Sequence, residues 1–148
     1  MAESLHTFRI HILAADHKVF EGDCESLVLP LCDGQYGVKA HHGNMISAVV
    51  PGLLSYREPG GENKTVYVSS GLIKVEDNDV LILVDSAELP EEIDIKRAER
   101  AAEDAQKLLQ RKRNITEIRM ARAHLARAVG RLKVKRYYDK KMKSEEIE

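Results

Sequence analysis

The chain changes character near residue 89, where an acidic sequence with strand-like segments gives way to a basic sequence with helical spacing. Residues 1–90 contain 6 Lys and Arg residues against 13 Asp and Glu residues, and Gly, Asn, Asp and Pro separate their short apolar stretches. Residues 111–141 contain 12 basic and 2 acidic residues among many alanines. The net charge of −1 over 148 residues therefore combines two oppositely charged parts. We predict two domains, residues 1–88 and residues 89–148.

The first domain has the pattern of an antiparallel β-sandwich. Strand-like stretches alternate with turn-forming pairs such as Asp33-Gly34 and Pro51-Gly52, because Gly, Asn and Asp tolerate a positive φ and Pro fixes a negative one. Many short strands at this spacing are typical of sandwiches and barrels. The dense apolar runs at 66–75 and 80–84 predict strands that are buried on both faces or lie near the centre of the sandwich, with a bend at Gly71. The predicted strands are residues 7–13, 24–31, 35–40, 45–50, 53–57, 64–69, 72–76 and 79–85.

The second domain has the pattern of an antiparallel α-helical hairpin. Asp94 can cap one helix, and Asn114 with Glu117 has the form of a capping box at the start of a second. Apolar residues recur at intervals of three and four, so each helix has one apolar face, and a short connection lets the two faces meet. Because few of these side chains are large, we expect the hairpin to dock on the sheet domain or on a partner. The inward positions are Ala98, Ala101 or Ala102, Ala105, Leu108 and Leu109 in the first helix, and Ile118, Ala121, Leu125, Val129 or Ala128, and Leu132 in the second.

The other face of the second helix is basic. A basic helix face is usually a solvated surface, and nucleic acid or an acidic protein surface are the other candidates. Within residues 89–148 aromatic residues occur only at Tyr137-Tyr138, and no nucleic-acid motif is present, which argues against nucleic acid. A small nucleic-acid-binding protein that uses this basic tail is still the main alternative function. The basic residues are Arg119, Arg122, Arg127, Arg131, Lys133, Lys135 and Arg136.

No set of residues has the pattern of a catalytic or metal site. The sequence contains no Ser-His-Asp elbow and no glycine-rich phosphate loop. His41 and His42 are adjacent, and neighbouring side chains of an extended segment point to opposite faces, so a metal-dependent enzyme based on them is the weakest alternative. Cys24 and Cys32 are predicted to be reduced core residues. We therefore expect no catalytic residue and no metal ligand.

Membrane-spanning and secretory segments are not indicated by the sequence. No stretch approaches the roughly 18–20 apolar residues of a membrane span. Residues 1–6 lack the basic and apolar regions of a signal peptide. We expect a cytoplasmic protein.

Three strand segments follow one another in a distinctive order. The first is Gly34-Gln-Tyr-Gly37-Val-Lys-Ala-His-His42-Gly-Asn-Met-Ile-Ser-Ala-Val-Val-Pro51-Gly52, and the others are Val66-Tyr-Val-Ser-Ser-Gly71-Leu-Ile-Lys-Val75 and Val80-Leu-Ile-Leu-Val-Asp85-Ser-Ala-Glu88. With the helical tail behind them, these segments resemble the epsilon subunit of the bacterial rotary ATP synthase over nearly the whole chain. The chain departs from the usual Pro-Gly-His-x-Pro of that family, because Ala40, His41 and Asn44 stand at the proline, glycine and proline positions.

The resemblance implies a non-catalytic subunit of the central stalk. In that family the β-sandwich docks on the rotor, here through the loop around His42, and couples the gamma stalk to the membrane c-ring, which protons or sodium ions drive. The C-terminal helices can extend into the catalytic alpha/beta head, where they meet an acidic loop and restrain ATP hydrolysis. The implied partners are the gamma subunit, the c-ring and this head, without nucleic acid. The implied location is peripheral, on the cytoplasmic face of the inner (plasma) membrane. The inhibitory helix would act through Arg119, Arg122, Arg127 and Arg131.

A short motif at the start of the first helix also has a counterpart in the family. Ile93-Asp94-Ile-Lys-Arg97-Ala98 resembles the I/L-D-x-x-R-A motif with which some epsilon subunits bind ATP in the folded-down hairpin. Such members place phosphate-facing arginines at the positions of Arg127 and Arg131, and an adenine contact at Glu88. The resemblance thus implies a regulatory ATP site and no required cofactor. A helix capped by Asp94 needs the same motif without a ligand, so both interpretations stay open.

Overall fold

The computed structural model describes residues 6–111 and 114–147, and in them ten strands precede a short 3₁₀ helix and two α-helices. The helical part comprises the 3₁₀ helix Pro90–Glu92, α1 (Ile95–Arg111) and α2 (Ile115–Ile147). The predicted fold class, a β-sandwich followed by a helical hairpin, is confirmed. The strands are β1 (Phe8–Ala14), β2 (Lys18–Cys24), β3 (Ser26–Leu31), β4 (Gly34–Lys39), β5 (Met45–Val49), β6 (Gly52–Arg57), β7 (Asn63–Val68), β8 (Gly71–Glu76), β9 (Asp79–Val84) and β10 (Ala87–Glu88).

The strands form one sheet that folds over into two packed layers. Its order is β10-β7-β6-β3-β5-β8-β9-β1-β2, with β4 paired to β3. The paired strands run antiparallel, except that β1 and β9 are parallel. β3 pairs with β6 through residues 26–28 and with β5 at Leu31. It therefore passes from one layer of the sandwich to the other.

The core between the layers is built from strand residues of the first domain. Alternate residues of β1, β6, β8 and β9 are buried in it, and Ile10, Ile12, Ile73 and Ile82 are fully buried there. Among the described residues, none after Ala87 belongs to this cluster. The sandwich therefore has a hydrophobic core that does not depend on the hairpin.

The strands β2 and β10 differ from the sequence prediction. β2 has the sequence Lys-Val-Phe-Glu-Gly-Asp-Cys and ends the sheet order beside β1, so its polar side chains remain in solvent and obscure the apolar alternation. β10 has only two residues, too few to give a pattern. The predicted strand 24–31 is interrupted at Glu25, whose N–H donates to the carbonyl oxygen of Arg57 at 2.8 Å between β2 and β3.

Burial on both faces is confirmed for β7 and is wrong for β8 and β9, in which buried and exposed residues alternate. Val66, Tyr67 and Val68 are all buried, because α2 packs on the outer face of β6 and β7. Leu83 of β9 is 39% exposed, because β9 lies several strands away from that helix in the sheet order. Gly71 begins β8, and a Cβ atom there would lie 1.9 Å from the carbonyl oxygen of Leu83. This glycine therefore permits the close approach of β8 and β9.

Both predicted helix caps are confirmed. Asp94 Oδ1 accepts a hydrogen bond from the N–H of Arg97 at 3.1 Å, and Asn114 Oδ1 accepts one from the N–H of Glu117 at 2.8 Å. The predicted apolar stripe of the second helix ends at Leu132, but α2 has 33 residues and continues to Ile147. It is therefore almost twice as long as α1, which has 17 residues. The final part of α2 therefore extends beyond the hairpin contact and over the sandwich.

The buried residues of α1, and those of α2 as far as Ala128, are alanines. Leu108 was predicted to face inward and is about half exposed, whereas its neighbour Leu109 is partly buried. Adjacent helix residues are about 100° apart, so only one of the two leucines can point at α2. The buried alanines are Ala98, Ala105, Ala121 and Ala128.

Across residues 6–111 and 114–147, neither helix has the length and apolar content needed to traverse a lipid bilayer.

The two cysteines occupy different environments. Cys24 is buried in the sandwich core, as predicted, and its burial raises the pKa of the thiol to about 12. Cys32 is exposed, so its prediction as a core residue is wrong. It follows the last residue of β3 in the turn to β4, where the chain is at the surface.

Candidate functional site

The loop around His42 is held to the turn between β8 and β9 by reciprocal hydrogen bonds. The N–H of His41 donates to Asn78 Oδ1 at 2.7 Å, and the N–H of Asp77 donates to Asn44 Oδ1 at 3.0 Å. His41, Asp77 and Asn78 have positive φ angles of 62°, 50° and 63°, which His, Asp and Asn adopt more readily than most residues. These two hydrogen bonds restrain a loop that lacks the usual prolines.

The ring of His42 is fixed by hydrogen bonds at both of its nitrogens. Its Nδ1 lies 2.7 Å from the carbonyl oxygen of Gly43, and its Nε2 lies 2.8 Å from the hydroxyl of Tyr36. A carbonyl oxygen can only accept, so in the neutral ring Nδ1 carries the hydrogen and Nε2 accepts from Tyr36. The Tyr36 and His42 rings also meet edge to face, with centroids 5.6 Å apart. His42 therefore presents one defined orientation at the loop.

The two adjacent histidines make different contacts. His41 contacts Asn78 through its backbone, while the His42 ring is bonded to Tyr36 and Gly43. In the part of the chain that the structure describes, no three His, Cys, Asp or Glu side chains are grouped as metal ligands.

An apolar strip crosses the outer face of four strands, towards the end of β8 and β9 that is opposite their connecting turn. The strand register places Leu13 next to Leu83, Leu83 next to Leu72, and Leu72 next to Ala48. We call these four residues the outer apolar row. Leu72 and Leu83 are each 39% exposed. None of the predicted site residues lies on this surface, although the apolar residues at every position of 80–84 indicate that β9 is apolar on both faces.

The predicted nucleotide site corresponds to a cleft of about 320 Å³ between β10, the start of α1 and the middle of α2. We call it the α1–α2 cleft. Two of the seven predicted residues lie outside its wall: the Ile93 side chain is buried against Tyr67 and Val134, and Arg127 Nη2 lies 2.8 Å from His124 Nδ1. The residues that line the cleft are Glu88, Glu92, Asp94, Arg97, Ala98, Ala101 and Arg131.

Arg131 connects this cleft to the sandwich. Its Nε lies 3.0 Å from Glu88 Oε1 and its guanidinium carbon lies 4.9 Å from the centroid of the Tyr67 ring. The Tyr67 hydroxyl is buried and has no hydrogen-bond partner among the residues that the structure describes. Burial raises the pKa of Tyr67, and the positive charge of Arg131 opposes part of that rise. The ion pair and the cation–π contact therefore join α2 to two strands of the sandwich.

Both structural units match models of one protein family. Residues 7–90 match the beta-sandwich domain of the ATP synthase delta/epsilon chain, and residues 91–136 match its long alpha-helix domain. The chain belongs to the ATP synthase delta/epsilon chain family. It is therefore of the kind that forms a non-catalytic subunit of an ATP synthase.

Individual relatives agree with this family. The chain is 40% identical to the ATP synthase epsilon chain of Ruminiclostridium cellulolyticum over 126 residues, which cover 85% of this chain and 93% of that protein. It is 37% identical to the ATP synthase epsilon chain of Clostridium novyi, covering 86% and 97% of the two chains. A chain in the Euglena gracilis mitochondrial ATP synthase structure has the same fold, with a TM-score of 0.75 and 21% identity over 84% of this chain and 79% of that one.

The four arginines expected on the inhibitory helix of this delta/epsilon family member divide into two pairs. Arg119 and Arg122 are exposed on the first turns of α2. Arg127 and Arg131 are partly buried nearer the sandwich. The basic residues therefore do not form one continuous solvated face in this conformation.

Proposed function

We propose that this chain is the epsilon subunit of the central stalk of a rotary ATP synthase. In this role the β-sandwich docks on the gamma subunit and the membrane c-ring, and the hairpin restrains ATP hydrolysis by the alpha/beta head. The observation that carries the proposal is the family match, which spans both units from residue 7 to residue 136. A subunit bound to the c-ring would lie peripherally on the cytoplasmic face of the inner (plasma) membrane.

Rotor docking is assigned to the loop around His42 together with the outer apolar row. A rigid loop can bind without first losing conformational freedom, and the reciprocal hydrogen bonds of Asn44 and Asn78 supply that rigidity. Ile46, only two residues beyond Asn44, is 75% exposed and extends the apolar surface towards the loop. Exposed apolar surface of this kind is typical of protein interfaces.

The regulatory role of the hairpin is supported by how little apolar surface holds it to the sandwich. The buried cluster at this junction consists of Tyr67, Ile93 and Val134, with Leu53 packed against it. Gly130 lets the helix backbone approach the sandwich, since a Cβ atom there would lie 3.1 Å from the Tyr67 ring. A junction of this size can open at a modest free-energy cost, which an arm that alternates between two positions requires.

A regulatory ATP site in the α1–α2 cleft is part of the proposal. Arg97 and Arg131 line the cleft and carry the donors that phosphate groups require, while Ala98 leaves space beside them. Arg131 is paired with Glu88 in this structure, so binding of a phosphate group there would compete with Glu88 for the guanidinium. ATP that binds only the compact hairpin would stabilise it by about 2.7 kcal/mol at a hundredfold excess over Kd.

Titration calorimetry of the full chain with ATP tests the cleft. Arg97→Ala should weaken binding, whereas Arg100→Ala, which removes a guanidinium one turn later on α1 and outside the cleft, should not. If wild type gives neither heat nor a melting shift with millimolar ATP, Asp94 is a helix cap only.

Co-purification tests the proposed function itself. The full chain should be retained by a complex of the gamma subunit with the alpha/beta head. His42→Ala should reduce retention, and Glu62→Ala should not, because Glu62 lies in the β6–β7 connection, away from both the loop and the outer apolar row. Failure of the wild-type chain to bind this complex would exclude the central-stalk assignment. Salt-sensitive retention on DNA would instead favour the nucleic-acid alternative.

A further inference from the structure

The last part of α2 lies beyond the region that the family model matches. The helical domain of the family ends its match at residue 136, whereas α2 continues without a break to Ile147. We call residues 137–147 the C-terminal extension. It continues the face of α2 that meets the sandwich, because Gly130, Val134, Tyr138 and Lys141 are spaced by four, four and three residues.

A hydrogen bond joins the C-terminal extension to the segment that precedes the hairpin. The hydroxyl of Tyr138 donates to Glu91 Oε1 at 2.6 Å. Glu91 lies in the 3₁₀ helix, whose position is fixed by the buried side chains of Pro90 and Ile93 on either side. The short distance is typical of a charge-assisted bond between a hydroxyl and a carboxylate.

Charged neighbours on α2 orient the ring of Tyr138. Lys135 Nζ lies 5.8 Å from the centroid of that ring, and it also lies 3.6 Å from Asp139 Oδ1. Lys135 has an exposed side-chain fraction of 17%, so its position is restricted. The hydroxyl of Tyr138 is therefore directed by its own helix as well as by Glu91.

The rest of the extension packs loosely. A cavity of about 310 Å³ separates Lys141 and Met142 from Tyr56, Lys64 and Val66 of the sandwich. Met142 is still 42% exposed. The hydrogen bond between Tyr138 and Glu91 is therefore the main specific contact of the extension, rather than one of many packing contacts.

We propose that the C-terminal extension is a latch, fastened by Tyr138 and Glu91, that holds α2 on the sandwich and opposes opening of the hairpin. The 3₁₀ helix lies where the chain leaves the sandwich for α1, so α2 cannot swing away from the sandwich without breaking this bond. The latch is a property of the free chain and does not depend on the proposed role in an ATP synthase. Its consequence in that role is a bias towards the compact hairpin.

Hydrogen exchange of the full-length chain tests the latch. An undocked helix keeps only its marginal intrinsic stability, so the exchange of residues 128–136 reports how often α2 leaves the sandwich. Tyr138→Phe and Glu91→Ala should each accelerate this exchange by about two- to tenfold. Their combination should do little more than either alone, because both remove the same bond. The strands β1 and β9 serve as an internal reference and should be unchanged.

Tyr137→Phe is the matched control, because it removes the same hydroxyl from the neighbouring, half-exposed tyrosine. If the latch exists, residues 128–136 of this variant should exchange at the wild-type rate. Wild-type exchange in Tyr138→Phe, or equal acceleration in Tyr137→Phe, would overturn the proposal. Neither outcome depends on whether the chain binds a gamma subunit, so the failure of the latch and the failure of the proposed function are separate results.

Discussion

Arg131 of α2 forms a forked ion pair with Glu88 of β10, with Nε 3.0 Å from Oε1 and 3.2 Å from Oε2. Both side chains are less than one-third exposed, at 28% and 30%. An ion pair at this depth is worth more than a surface pair, and the charge left behind when one partner is removed is costly. The same arginine covers Tyr67, so the pair is central to the contact between the hairpin and the sandwich.

Arg131→Gln is expected to loosen α2 by about 1–2 kcal/mol, because Glu88 then loses its charged partner. Hydrogen exchange of α2 in the full chain measures this loss. Arg119→Gln is the control, since Arg119 is exposed and lies on the first turns of α2. The double variant Glu88→Gln/Arg131→Gln should recover part of the loss. A double variant that is as loose as the sum of the two single variants would contradict a direct coupling.

Local patterns predicted the strands and helices whose two faces differ most in polarity. The caps at Asp94 and Asn114 were predictable because a cap needs only residues within three positions. β2 could not be predicted in the same way, because an edge strand keeps polar side chains on its exposed surface. Leu83 was expected to be buried because its strand is apolar from Val80 to Val84. The local sequence does not indicate that α2 packs on other strands, namely β6 and β7.

The candidate sites depended on contacts that no local pattern contains. Arg131 and Glu88 are 43 positions apart, and only the family resemblance placed them in one site. Tyr138 and Glu91 are 47 positions apart and belong to no motif, so their hydrogen bond was not foreseen.

Asn78→Gly is expected to destabilise the sandwich and to release the loop around His42. Glycine tolerates the positive φ of this position, so the change removes only the bonds from the His41 N–H and to the Thr7 carbonyl oxygen. Two such bonds are worth about 1–3 kcal/mol together. The urea midpoint measures the loss. Asp77→Gly is the control at a neighbouring positive φ and should shift the midpoint less; an equal shift would mean that the turn backbone, and not Asn78, sets the stability.

Truncation after Glu88 should leave a folded sandwich, because the core cluster uses no residue after Ala87. The β-type circular dichroism spectrum and a cooperative thermal transition check this expectation. Retention by the gamma subunit then tests whether rotor docking needs the hairpin. A truncated chain that folds but does not bind gamma would show that the sandwich alone is not the docking unit.

The latch should weaken at both ends of the pH scale. The hydrogen bond from Tyr138 is the main reason that the pKa of Glu91 lies below its usual value of 4.5, with Lys135 contributing. This stabilisation is present above pH 4.5 and is lost as pH falls through the lowered pKa. The same bond raises the pKa of Tyr138 above 10, with Asp139 and Glu145 adding to the rise. Its stabilisation is present below pH 10 and is lost as pH rises through the raised pKa.

The ratio of the exchange rate of Tyr138→Phe to that of the wild type, taken at each pH, measures this dependence. The intrinsic exchange rate changes with pH but is the same in both proteins, so it cancels in the ratio. The ratio should be constant from about pH 6 to pH 9 and approach one towards pH 3. A ratio that stays constant down to pH 3 would mean that the Glu91 charge does not contribute.

The exposed arginines of α2 should contribute to inhibition of ATP hydrolysis only in combination. Arg119 and Arg122 do not face the sandwich, so they are available to an acidic surface when the hairpin opens. Each exposed ion pair is worth about 0–1 kcal/mol, so neither single alanine variant should change the ATPase rate of the assembled complex much. The double variant should raise the rate several-fold, and added salt should do the same to the wild-type complex, because exposed charges are screened over about 8–10 Å.

Two further variants separate this effect from others that would also raise the rate. Lys96→Ala/Arg100→Ala removes the same charge from exposed positions on α1, so it should leave the rate unchanged if the position of the charge matters. Arg127→Ala/Arg131→Ala also disturbs docking on the sandwich, because Arg131 is paired with Glu88 there. If this second variant loses inhibition, hydrogen exchange of α2 must also be measured, to separate loss of docking on the sandwich from loss of positive charge. If Arg119→Ala/Arg122→Ala hydrolyses ATP no faster than wild type while a chain ending at Glu88 does, the hairpin acts by bulk or apolar contact, and the charge of α2 serves another purpose.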